Sequence, residues 1–167
     1  NHLWFRATPA SPSTVSSTKS NKSLLVEIGF TARGMEDIGD VLVLNKAWNT
    51  TETTNQIVEP DTPLLHIEWE GHSITGADEL YHTVWENFSG VSEVMTPLAG
   101  VVEAINDKPS PRLWFDEDTV LAKVMTTKGE WIRAHKERIL IKEPAYIRHV
   151  QGLPRGLFAE SEDEFDQ

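Results

Sequence analysis

His66, Glu68, Glu70 and His72 stand at every second position, the spacing that brings four side chains to one face of a β-strand. Two imidazoles and two carboxylates are ligand types that zinc or iron accept. Successive members of such a row are roughly 6–7 Å apart, so a single ion cannot reach all four without help from another element. The row reads more simply as a solvated or partner-facing strand surface, and no metal is expected. Glu68 with Glu70, and Asp78 with Glu79, are carboxylate pairs that acid–base catalysis uses only in a desolvated cleft. With 26 acids in 167 residues, pairs of this kind arise by chance. The sequence holds no nucleophile elbow, no Gly-rich phosphate loop and no His/Ser/Asp order. It has no cysteine, which removes thiolate zinc sites and cysteine nucleophiles. The expectation is a protein that is not an enzyme and carries no cofactor.

Charge narrows the partners. A formal net charge of −11 argues against nucleic acid, which demands a basic footprint, and against an anionic membrane surface. No apolar run approaches the roughly 18 residues that would cross a bilayer. The charge is also unevenly spread. The 61 residues between Lys46 and Lys108 contain 11 acids and neither lysine nor arginine, so the middle of the chain offers no side-chain amine.

The elements that would position these groups are mostly strands. Leu24, Val26 and Ile28 alternate before Gly29, and Ala32 to Ile38 reads as a short helix or turn closed by Gly39-Asp40. Val41 to Leu44 is an apolar strand, residues 45–57 a loop, and Leu64–Glu70 the strand that carries the His/Glu row, with Leu65, Ile67 and Trp69 on its other face. Residues 71–92 form a polar segment with a helical turn expected around Asp78 to Asn87. Val94 to Val102 is strand, bend and strand, the bend supplied by Pro97 and Gly100. Val120–Val124 is a strand followed by a turn at Gly129; the remainder, residues 130–167, mixes a basic patch of Arg133, Lys136 and Arg138 with Ile139-Leu140-Ile141 and then reads as an irregular Pro/Gly segment.

Three of these segments, in order, resemble the H protein of the glycine cleavage system, a lipoyl carrier. They are Val26-Glu27-Ile28-Gly29-Phe30-Thr31 with Gly39-Asp40-Val41 after it, Ser92 through Asn106, and Val120 through Val124. The resemblance implies a mostly β, barrel-sandwich hybrid fold over residues 23–125, with residues 71–92 inserted. It also implies a hairpin presenting one lipoylated lysine. Aligned on the strand ending at Glu70, that position is Gly71; counted back from Pro97, it is Ser89. Neither has an amine, and amide attachment of lipoyl or biotinyl groups requires one. Within this resemblance the chain is a carrier fold without its cargo.

What is left for function is binding. Trp69, Tyr81, Trp85 and Phe88 concentrate at the insertion, either as a private mini-core or as a docking patch. Trp4 and Phe5 open an extended arm, residues 1–22, and Phe158 and Phe165 lie in a C-terminal extension, residues 126–167, that ends in acids. Residues 1–26 contain no acid and nine Ser or Thr, resembling the end of an organellar targeting segment of plastid rather than mitochondrial flavour. These features lead to an expected role as an accessory subunit of a large organellar complex, plastid photosynthetic machinery first and a mitochondrial assembly second. The partners are then protein subunits. The alternative is a regulatory or decoy binder of the enzymes an H protein serves.

Overall fold

A computed structural model describes residues 2–9, 23–48, 56–77, 83–106 and 116–158. The fold is mostly β, built on two antiparallel sheets. The five-stranded sheet has the order β1 (Leu3–Pro9), β2 (Ser23–Phe30), β8 (Ala122–Thr127), β7 (Gly100–Ile105), β4 (Ile57–Val58). The three-stranded sheet runs β3 (Asp40–Lys46), β5 (Thr62–Ala77), β6 (Thr83–Thr96). Strand alternation explains the core between them. Val26, Ile28 and Phe30 of β2, Val124 of β8 and Val102 of β7 are buried together with Leu65 and Ile67 of β5 and Val94 of β6. Each fully buried aliphatic side chain is worth about 1.5–3 kcal/mol relative to exposure. Helix α1 (Ala32–Met35) is started by the Thr31 hydroxyl, which accepts from the Gly34 N–H.

Four sequence expectations need correction. Residues 3–9 are not an arm but the edge strand β1, registered on β2 from Leu3 opposite Phe30 to Pro9 opposite Leu24. Leu3, Phe5 and Ala7 pack against the core, which is the physical reason the segment adheres. Residues 71–77 and 83–92 contain no helical turn; they continue the β5–β6 ladder as far as Ala77 opposite Thr83. The last strand runs to Thr127, and Gly129 lies in the first turn of α2 (Lys128–Lys136) instead of a loop. The segment read as irregular also holds α3 (Glu143–Gln151), whose Pro144 sits in the first turn, where its missing N–H costs no helical bond.

Helix α2 is locked to the sheet bend that precedes β7. Thr127 caps it, accepting from the Glu130 N–H, and Glu130 in turn accepts from the Ala99 N–H (3.1 Å). Arg133 pairs with Glu130 and Glu137 and donates to the Pro97 carbonyl (3.2 Å). The Arg133 guanidinium holds the Glu130 carboxyl below its usual range, burial opposing it.

Candidate functional site

The two positions that disagreed in the sequence are neighbours in space. Gly71 pairs with Phe88 across the β5–β6 ladder, and Glu70 with Ser89, so the intervening residues lengthen one hairpin. Strand β3 stops pairing at Asp40 opposite Glu70. From Gly71 outward the ladder is therefore, among the described residues, a two-stranded ribbon. At its base the Phe158 ring meets Trp69 edge-on (5.5 Å, 77°) and Phe88 edge-on (6.2 Å, 85°). Gly71 permits this: a Cβ there would lie 2.5 Å from the Phe158 ring and 3.2 Å from the Gly39 Cα. The chain leading to Phe158 is tied to Glu36, which accepts from the Gly156 N–H (3.0 Å), the Phe158 N–H (2.9 Å) and Arg155 (3.4 Å). Trp69 adds a donated bond to Ser92 (3.1 Å). Three of the aromatic candidates, Trp69, Phe88 and Phe158, thus form a private cluster.

The other candidates separate. Trp4 lies flat over Gly29, where a Cβ would meet its ring at 2.3 Å, and its indole N–H donates to the Glu117 carbonyl (2.7 Å). Arg6 stacks over Trp4 at 5.3 Å and pairs with Glu27. Phe5 packs against the core. Tyr81 and Phe165 lie outside the described residues, as does the side chain of Trp85. The row His66, Glu68, Glu70 and His72 is on the outer face as expected, with His66 3.9 Å from Glu93. Among the described residues no three His, Asp or Glu groups converge on a metal position.

Sequence reading missed a groove. Between the edge strand β1 and the helical wall of α2, α3 and their connection runs an open channel of about 1260 Å³. Leu3 and Phe5 form one side; Trp131, Ile139, Leu140 and Ile147 form the other. Ile139, Ile141 and Ile147 are each close to half exposed, an unusual density of bare β-branched side chains. Polar contacts close the channel at one end. The Thr31 N–H and hydroxyl both donate to the His2 carbonyl (3.0 and 3.1 Å), and the Thr31 oxygen is 2.7 Å from the Tyr146 hydroxyl. Tyr146 therefore donates to Thr31 and accepts from His2 Nδ1 at 3.0 Å, which places the imidazole proton on Nδ1. Burial first, then the Arg33 guanidinium, push the His2 imidazole below its ordinary value. The available signal in the sequence was charge: residues 128–155 hold seven Lys or Arg against three Glu in a chain that is otherwise strongly acidic.

No protein-family model matches this chain, and neither a curated protein nor a solved structure matches it.

Proposed function

We propose that the chain is a non-catalytic protein-binding scaffold, an accessory subunit of a larger organellar assembly, the plastid ahead of the mitochondrion. One observation carries this reading. The rung at which the H-protein resemblance looks for a modified lysine is occupied by Gly71, opposite Phe88 and under the Phe158 ring, in a ladder that runs on past it. A swinging arm needs both an amine and an open hairpin tip at that point, and this rung offers neither. What the molecule presents instead is surface: bare isoleucines beside β1, and an acidic outer sheet face with Asp40, Glu68 and Glu70 exposed. The organellar placement rests on the acid-free, hydroxyl-rich residues 1–26.

The test combines two measurements on the native chain. Size fractionation of an organelle extract at physiological salt should place it in a particle several times its own mass, and intact-mass analysis should show no lipoyl or biotinyl adduct. A monomer in the extract, or a stable adduct, overturns the proposal.

A further inference from the structure

We propose that the outer face of the five-stranded sheet packs on the same face of a second copy of this chain, about a two-fold axis running along the strands between β2 and β8. The inference goes beyond the scaffold reading and does not depend on it. Ladder register supplies the first argument. Thr8 stands opposite Leu25, Leu25 opposite Met125, Met125 opposite Val101 and Val101 opposite Ile57, so one row crosses all five strands. Directly opposed residues share a face. That face is the outer one, because the next residues along, Val26, Val124, Val102 and Val58, are buried in the core. Four of the five side chains in the row are apolar. Among the described residues, none of those four belongs to the core or packs against it. Val101 is 37% exposed and Ile57 71%. A sheet face left to water normally carries polar side chains, so an apolar row across its whole width calls for a cover.

Charge selects the occupant and its alignment. Two residues along the strands, the next row reads Arg6, Glu27, Lys123 and then Glu103, which the register shift between Val102 and Ala104 leaves exposed beside Lys123. Within one copy Arg6 already bridges to Glu27 at 3.2 Å, so the row is a compensated set. Its signs alternate, and reversing its order exchanges plus for minus. The two-fold axis therefore sets Arg6 over Glu103 of the second copy and Glu27 over Lys123 of the second copy. The apolar row closes in the same motion, with Leu25 over Met125 and Val101 over Thr8 of the second copy. Moving the axis half a strand spacing, onto β8, would bring Glu27 against Glu103 instead. A uniformly acidic or basic partner meets like charges at two of the four positions. The net charge of −11 opposes association only weakly, since charges elsewhere on the molecule are screened beyond about 8 Å at physiological ionic strength. Five strands about 4.8 Å apart and roughly six residues long make a face of about 24 by 20 Å. Two such faces bury about 1,000 Å² together, the low end for a specific interface, so a dissociation constant on the order of 10 µM is expected.

Sedimentation equilibrium of the purified full chain, from about 1 µM to about 1 mM, measures it directly. Val101→Glu changes an exposed side chain, so the variant should keep the urea midpoint of the parent while its dimerisation weakens about tenfold or more. Arg6→Glu and Glu103→Lys also change exposed side chains. Each variant alone sets like charges face to face twice per dimer and should stay monomeric at about 100 µM, ten times the expected constant. Mixed in equal amounts, the two should associate again as a one-to-one heterodimer. Both remain acidic overall, so net charge does not account for that recovery. A parent chain still monomeric at about 1 mM would overturn the proposal. So would a dimer indifferent to Val101→Glu, whose contact must lie elsewhere, or a mixture of the two charge variants that fails to associate. The scaffold reading is judged separately, by the mass of the native particle: a large particle with a monomeric purified chain removes the dimer alone.

Discussion

Replacing Phe158 with alanine tests the aromatic cluster at the base of the hairpin. A fully buried Phe→Ala change costs about 3–5 kcal/mol. Phe158 is part-exposed, so roughly half of that transfer is at stake, and it includes the two edge-on ring contacts, each worth about 0.5–1.5 kcal/mol. The expected loss is about 2 kcal/mol. In a chain of this length that lowers the melting temperature by about 4–8 °C. Urea and thermal unfolding followed by near-UV circular dichroism measure it. The sharper form is a double-mutant cycle with Gly71→Ala. Alone, the alanine Cβ meets the Phe158 ring at 2.5 Å and should cost about 1–3 kcal/mol through overpacking. With the ring gone, most of that penalty disappears and only the 3.2 Å approach to Gly39 remains. The two changes should therefore be less costly together than their sum by about 1 kcal/mol or more. Strict additivity, or a loss for Phe158→Ala below about 0.5 kcal/mol, would refute the packing argument, since that is the scale of an ordinary surface substitution.

Further expectations follow from other contacts. Gly29→Ala drives a methyl into the Trp4 ring at 2.3 Å and the Thr119 carbonyl at 2.7 Å; a loss of about 2 kcal/mol in urea unfolding is expected, with faster amide exchange along β1. Glu130→Gln removes the charge that Arg133 pairs with and loosens the grip on Ala99; it should cost about 1 kcal/mol in thermal unfolding, and the loss should shrink in high salt. The His2 imidazole is held below its ordinary value of 6.5, so the unfolded chain takes up its proton first. Stability should thus fall as pH drops below about 6.5 and level off once pH passes below the lowered value, and His2→Gln should flatten that part of the urea-midpoint profile against pH. An unchanged profile in the variant would show that the slope belongs to other groups.

Much of the body was legible because its strands carry strong local signals. Alternation of Leu24, Val26 and Ile28, the short helix or turn from Ala32 and the Pro97–Gly100 bend all say the same thing locally and globally. The mostly β architecture followed from them. β1 was misread because its partner strand begins 14 residues after it ends, and only the faint alternation of Leu3, Phe5 and Ala7 marks a buried face. The ribbon from Gly71 outward was misread because pairing with β3 stops at Asp40 opposite Glu70, and its run of Gly, Ser, Thr and Asn among apolar residues lacks a clean two-residue alternation. The two late helices are nine residues each and carry Gly129 and Pro144 in their first turns, residues that elsewhere break helices. The groove left only the excess of bases over residues 128–155 as a trace in the sequence, since it exists only where an edge strand and two later helices meet.

The overhanging ladder has a practical consequence for how the polypeptide can be cut. Among the described residues, the rungs from Gly71 opposite Phe88 to Ala77 opposite Thr83 lean on no third strand, a length of about 20 Å. Two-stranded ribbons are marginal by themselves. A protease opening the backbone among those rungs would leave both halves of the molecule gripped by the sheets beneath, migrating as one body until denaturant separates them. The same place is therefore where the protein should tolerate new termini, or an inserted reporter, with least disturbance to its core.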